Sequence, residues 1–141
     1  MRLSELANLA IVDLDNEGER IKVFGKGRKE RYVEYTKEAK RAVWRYMAYR
    51  DDKLPNLWLT EEKTPIKAAG IRIALTRLYA RAGFKVKDVA HIFRRTWAMR
   101  KIDEGVPLKY IQIIGGWEDI TTLDIYVRAA DADKALKAMK R

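Results

Sequence analysis

Cysteine is absent and histidine occurs once, at His91. Disulfides, thiol nucleophiles, cysteine-based zinc sites and any site built on paired histidines are therefore excluded by composition. No uninterrupted apolar run approaches the roughly 18 residues of a membrane span. The opening Met1-Arg2-Leu3-Ser4-Glu5 has no secretion-signal core, so a cytoplasmic protein without a membrane partner is expected. Low-complexity tracts and internal repeats are missing as well. What is present is 141 residues that are 48% apolar, enough for folding to bury about 68% of the extended chain's surface in one domain. Intrinsic disorder is thus excluded.

Basic residues outnumber acidic ones by 30 to 20, and the excess is local. Residues 1–65 hold 14 basic and 12 acidic groups, and residues 102–141 hold 6 and 7. Between Ile66 and Lys101 there are ten basic residues and one acidic residue, Asp88. Such a block repels itself unless it is a solvated helix face or meets a polyanion, and apolar residues recur through it at helical spacing. A nucleic-acid-binding face is the expectation, with an ordinary basic surface and contact with an acidic membrane surface as the alternatives.

Leu3, Leu6, Ala7 and Ala10 have helical spacing, so a first helix is expected to run to about Ala10. Arg20–Phe24 and Arg31–Tyr35 alternate as strands around the glycine-bracketed turn Gly25-Lys26-Gly27-Arg28-Lys29, which predicts a β-hairpin with lysines at its tip. Thr36 with Glu38 opens a helix that ends near Arg50, before Pro55. Pro65 marks the start of another, with Ile71, Leu75, Leu78 and Tyr79 as its buried stripe and Gly83 as its stop. A helix from Val89 to about Glu104 follows, then a short one from Leu108 to Ile114, then two more, Thr121–Ala129 and Asp131–Lys140. Asp131 would cap the last, with Ala132, Ala135, Leu136 and Met139 as an apolar stripe. Trp44, Trp58 and Trp97 fall among apolar neighbours and are expected in the core. The fold class is mainly α with a small antiparallel β-sheet.

His91-Ile92-Phe93-Arg94 places two polar side chains on one helical face, where they can address one bound group. Gly115-Gly116-Trp117 comes next, with Trp117 26 residues after His91, and Tyr126 stands nine residues after Trp117. A lone histidine, a tryptophan after a glycine pair and a helical tyrosine are each most simply packing residues. Taken together and in this order they resemble the C-terminal half of the catalytic domain of tyrosine recombinases, the phage integrase family. Arg2-Leu3-Ser4-Glu5-Leu6 resembles the family's segment with its first catalytic arginine, and Gly25-Lys26-Gly27-Arg28-Lys29-Glu30-Arg31 resembles the hairpin with its catalytic lysine. The resemblance runs from Arg2 to about Arg128. Trp117 stands where many members have histidine, and Arg95 where many have a second histidine. It also implies that residues 1–141 are a catalytic domain truncated at its start, without the family's separate N-terminal DNA-binding domain.

The resemblance implies a DNA breaking-rejoining fold and a DNA chemistry: a tyrosine hydroxyl attacks a phosphodiester, giving a 3′-phosphotyrosyl link and a free 5′-hydroxyl, with strand exchange and rejoining to follow. No cofactor and no metal are implied. Tyr126 would be the nucleophile, Arg2 and Arg94 the guanidinium forks that offset charge on the non-bridging oxygens, and His91 the base or proton relay. Lys26 would protonate the leaving 5′-oxygen, with Arg28 or Lys29 as alternatives in the same turn. Trp117, a donor only, would bond a phosphate oxygen or pack against the site, and Glu5 would orient the site or serve structure. Arg28, Lys29, Arg72, Arg77, Arg81 and Arg95 are the expected contacts to double-stranded DNA. Further protomers on the DNA, in a tetrameric synapse, are the expected protein partners, and the last helix would dock on a neighbouring protomer or on its own domain.

Two other readings fit parts of the same pattern. A type IB topoisomerase shares the chemistry but relaxes one duplex, and a non-catalytic DNA-binding fragment would keep the basic face alone. Six further tyrosines, Tyr32, Tyr35, Tyr46, Tyr49, Tyr79 and Tyr110, compete with Tyr126 as nucleophile, but none stands nine residues past the Gly-Gly-Trp segment.

Overall fold

The computed structural model describes every residue except Lys26, Arg28, Lys140 and Arg141, and within the last helix it leaves the side chains of Asp133, Lys134, Lys137 and Ala138 undescribed. The order of elements is α1 (Leu3–Ala7), a 3-10 turn (Ile11–Asp13), β1 (Leu14–Asp15), β2 (Arg20–Phe24), β3 (Glu30–Glu34), α2 (Lys37–Ala48), α3 (Ala68–Arg81), α4 (Val89–Asp103), α5 (Leu108–Gly115), a second 3-10 turn (Ile120–Leu123) and α6 (Asp124–Met139). The expected class, mainly helical with a small antiparallel sheet, is the one observed.

α1 stops three residues short of Ala10. The chain is extended at Ala10 instead, which bridges to Asn56 in the segment after α2: Ile11 N–H donates to the Pro55 carbonyl at 2.8 Å and Leu57 N–H to the Leu9 carbonyl at 2.8 Å. That pairing buries Leu9 and Leu57, a larger gain than another helical turn would bring. The hairpin forms as the alternation predicts, with Ile21 paired to Val33 and Val23 to Arg31. Ile21 and Val23 point inward while Arg20 and Phe24 face water. β1 adds a third strand on the other side of β2, giving the order β1-β2-β3, all antiparallel.

Thr36 caps α2 by accepting the Ala39 N–H. Val43 on that helix completes a first core with Leu9, Ile21, Val23, Tyr35 and Leu57. Trp44 does not join it: it is 65% exposed, one position along the helix from Val43 and so turned outward. Trp58 packs against the first core and Trp97 against a second, formed by Ala98, Ile111, Leu123 and Tyr126.

α3 departs from expectation at both its start and its face. It begins at Ala68, because Pro65 bridges to Leu59 and Ile66 N–H bonds the Trp58 carbonyl, which holds that stretch extended. Ile71, Leu75 and Tyr79 are only half-buried and Leu78 is exposed, so no residue of α3 is fully buried. The helix packs on α1 and α4 from one side and leaves its other faces open. Gly83, at a φ of +81°, follows the helix as expected.

The two expected C-terminal helices are one. No glycine or proline separates Ala129 from Asp131, so α6 runs through, and Asp131 lies inside it rather than capping it. Ala132, Ala135, Leu136 and Met139 are exposed, so this stripe does not pack on its own domain. Among the described residues no helix is long and apolar enough to cross a membrane.

Candidate active site

Five parts of the fold bring side chains to one place. The start of α1 supplies Arg2 and Glu5, the hairpin supplies Arg31, α4 supplies His91 and Arg94, the turn after α5 supplies Trp117, and α6 supplies Tyr126. Lys26 and Arg28 lie outside the described residues. α4 is begun by Asp88, whose carboxylate accepts the His91 N–H at 3.1 Å, and it places His91 and Arg94 on one face. Tyr126, 5% exposed, reaches across from α6 and puts its hydroxyl 3.3 Å from His91 Nε2. With a proton on Nδ1, Nε2 accepts from the phenol, the arrangement in which the imidazole can take the phenolic proton.

Arg94 is a partly buried cation. Its guanidinium lies 3.9 Å over the Trp117 ring, and among the described residues its buried Nη1 has no hydrogen-bond partner. Burial, followed by the like charges of Arg2 and Arg31, pushes it down to about 10, against the opposing pull of Glu5 and Tyr126. A desolvated guanidinium with a spare donor beside other arginines is a site prepared for an anion.

Trp117 is held from three sides. Its ring stacks on Trp97 at 6.2 Å and 13°, and meets Tyr126 edge-on at 6.1 Å. Gly116 ends α5 in the left-handed conformation at φ +72°, and the Gly116 and Trp117 N–H groups both return to the Gln112 carbonyl, at 2.8 and 3.1 Å. Gly115 is needed because the indole folds back over it: a Cβ there would sit 1.8 Å from Trp117 Cζ3.

Beneath Arg2 is a buried carboxylate. Glu5 receives both terminal nitrogens of Arg31, Nη1 at 3.0 Å and Nη2 at 2.7 Å, together with Arg2 Nη1 at 3.3 Å. Burial raises the Glu5 pKa, but the hydrogen bonds from Arg31 and from the Arg2 N–H outweigh it and hold the group at about 2. Arg31 also donates through Nε to the Ile114 carbonyl at 2.9 Å. The sequence placed Arg31 in the hairpin motif without giving it a role, and nothing in the local pattern signalled one, since its partners lie 26 and 83 residues away.

Lys29 stands exposed at the hairpin tip, where a cleft of about 640 Å³ is lined by Arg2, Lys29, Arg31, Trp117 and Glu118 among others. Arg72, Arg77 and Arg81 on α3 and Arg95 on α4 are exposed and stand apart from that cleft. Of the competing tyrosines, Tyr35 is buried in the first core, Tyr46 accepts the Leu59 N–H, Tyr79 packs on Phe84 and Phe93, and Tyr32 lies under Arg20. Tyr49 and Tyr110 are on the surface. Among the described residues no group of three or more His, Cys, Asp or Glu could hold a metal ion.

Comparison with known proteins agrees with this geometry. The chain is 34% identical over 137 residues to tyrosine recombinase XerC of Lactobacillus delbrueckii subsp. bulgaricus, covering 92% of this chain and 46% of that protein. It is 30% identical over 130 residues to tyrosine recombinase XerC of Leptospira interrogans, covering 90% and 42%. It therefore spans a little under half the length of these relatives. The crystal structure of XerA recombinase superposes with a TM-score of 0.83 at 27% identity, covering 99% of this chain and 54% of that one. XerH recombinase bound to palindromic difH, in its post-cleavage complex, shares the fold, with a TM-score of 0.81 at 21% identity over 100% of this chain and 42% of that one. The sequence profile of the Phage integrase family matches residues 1–133, and the chain belongs to that family.

Proposed function

We propose that this chain is the catalytic part of a site-specific DNA recombinase or integrase. The observation that carries the reading is the Tyr126 hydroxyl at 3.3 Å from His91 Nε2, on the same face as an Arg94 donor with no partner among the described residues. In the proposed reaction Tyr126 Oη attacks the phosphorus of a DNA phosphodiester and gives its proton to His91. The P–O5′ bond breaks, its electron pair stays on the 5′-oxygen, and Lys26 supplies the proton that oxygen needs. The product is a 3′-phosphotyrosyl link and a free 5′-hydroxyl. Attack by a 5′-hydroxyl of another strand reverses the step and completes exchange without loss of the phosphodiester bond.

Fixed guanidinium groups suit this chemistry because charge grows on the non-bridging oxygens in the transition state. Arg94 is already desolvated and needs no reorganisation to meet it. Arg2 is the second fork, and the Trp117 indole N–H is a third donor. Arg28, Lys29, Arg72, Arg77, Arg81 and Arg95 hold the duplex through its phosphates. The partners are double-stranded DNA in the cytoplasm and further copies of the chain in a synapse.

A nicked suicide substrate, from which the 5′-fragment escapes after cleavage, tests the proposal. A covalent protein–DNA adduct is expected with the wild-type chain, and none with Tyr126→Phe, whose DNA affinity should stay within a few-fold. An adduct in the Phe variant would remove Tyr126 as nucleophile. Relaxation of a single supercoiled plasmid without exchange between two sites would instead favour a topoisomerase.

A further inference from the structure

Arg31 links parts of the site that are distant in sequence. It begins on β3, opposite Val23, and its side chain is 11% exposed. One edge of the guanidinium engages both oxygens of Glu5, which also holds Arg2, while Nε reaches the Ile114 carbonyl at the end of α5. Gly116 packs so closely on this group that a Cβ there would lie 2.7 Å from Arg31 Cζ. The next residue is Trp117, whose ring carries the Arg94 guanidinium.

We propose that Arg31 is a positioning residue for the reaction: it clamps the Gly115-Gly116-Trp117 turn to the Glu5–Arg2 pair and so sets the distance between the two arginines that meet the phosphate. This rests on the recombinase reading given above. The physical argument is one of geometry. A planar fork can satisfy a carboxylate on one edge and a carbonyl through Nε at the same time, whereas a lysine ammonium is a single point charge. Arg2 reaches the clamp through Glu5, and Arg94 reaches it through Trp117, so loss of the fork leaves each arginine in place on its own element but frees the two halves to drift apart. Displacement of about 1 Å between catalytic groups costs on the order of 100-fold in rate.

Arg31→Lys is the informative variant, because it keeps a cation beside buried Glu5 and therefore the fold. Two measurements are made on it. The first is amide hydrogen exchange on the free protein, where the Gly116 and Trp117 amides should exchange at least 10-fold faster than in wild type. Those of Val43 and Leu57, in the other core, should be unchanged; a general loss of stability would speed all four. The second is single-turnover adduct formation at saturating DNA, which should slow by 10- to 100-fold with DNA affinity within threefold. The loss should be equal on a substrate whose leaving 5′-oxygen is replaced by sulfur, since a thiolate leaves without a proton and the clamp acts on the phosphate, not on the leaving group.

Unchanged exchange at Gly116 and Trp117 would overturn the proposal, as would a wild-type rate of adduct formation in the Lys variant. Restoration of that rate by the sulfur leaving group would overturn it too, by moving the effect to the proton donor. A wild-type chain that forms no adduct counts against the recombinase reading, while the exchange experiment, which needs no DNA, still decides whether Arg31 holds the turn.

Discussion

The Arg94 guanidinium rests 3.9 Å above the ring of Trp117. Tryptophan thus does more at this position than fill space, because its electron-rich face supports a cation that burial and the neighbouring arginines disfavour. A desolvated contact of this kind is worth about 2 kcal/mol, or roughly 30-fold in rate where the cation meets the transition state. Trp117→Ala should slow adduct formation by about that factor in single-turnover assays, and Trp117→Phe by less, since a weaker face remains. Equal rates for wild type and Trp117→Ala would show that Arg94 needs no such support.

Gly115→Ala offers a second test of the same turn, in which two effects oppose each other. Alanine is the better helix former by about 1 kcal/mol, yet its Cβ would sit 1.8 Å from Trp117 Cζ3. Backbone on one side and the stacked Trp97 on the other leave the indole no small adjustment. The variant should be destabilised by about 1 to 3 kcal/mol in denaturant titrations, as overpacking is, and should lose adduct formation at least 10-fold. A more stable protein with full activity would mean that the indole can leave its place freely.

The Glu5 carboxylate gives a pH signature. Its pKa is held at about 2 in the fold, below an ordinary value of 4.5, through its bonds to Arg31 and Arg2 against the cost of burial. A depressed acid stabilises the fold fully above its unfolded pKa and loses that contribution as pH falls from about 4.5 toward 2. The contribution is roughly 3 kcal/mol at neutral pH. Glu5→Gln should therefore be less stable than wild type at pH 7, and the gap should close by pH 2. A gap that stays constant across urea titrations at the two pH values would show that the carboxylate's charge is not what matters.

The parts of this molecule that were legible in the sequence are those fixed by short-range pattern. The hairpin followed from alternation on both sides of a glycine turn, α4 from helical spacing bounded by Asp88 and Gly105, and the end of α5 from its glycine pair. What the sequence hid depends on distant partners. α1 ends early because residues 9–11 pair with 55–57, and α3 starts late because Pro65 bridges to Leu59. α3 shows an apolar stripe that the rest of the fold covers only in part. Motif order singled out His91, Arg94, Trp117 and Tyr126, which the fold brings together, but the Arg31–Glu5 pair joins two elements whose adjacency is a property of the whole fold.

DNA binding should be governed by the cationic stretch between Ile66 and Lys101, in which Arg72, Arg77, Arg81 and Arg95 are all exposed. With about 5 to 8 phosphate contacts, log K should fall with log salt at a slope of about −4.5 to −7. Replacing Arg77 and Arg81 together by alanine should flatten that slope by about 2 and weaken all sequences alike. A loss confined to one target sequence would assign these arginines to base recognition.

The exposed face of α6 offers a route by which a second copy would act on Tyr126, the proposed nucleophile. Leu136 and Met139 lie on the helix that carries Tyr126, and both side chains face solvent in the single chain, at 59% and 84% exposure. The end of a helix with one uncovered apolar stripe is weakly held, so covering it by a second copy would order the helix and, through it, the tyrosine about three turns away. Leu136→Glu with Met139→Glu removes the stripe and leaves the buried part of α6, Tyr126 and Ala130, untouched. The double variant should bind a single site with wild-type affinity but show reduced cooperativity on a two-site duplex in gel-shift titrations, with adduct formation falling in parallel. Unchanged cooperativity would mean that protomers meet through another surface. Equal loss on one site and two would mean that the stripe serves the fold of its own chain.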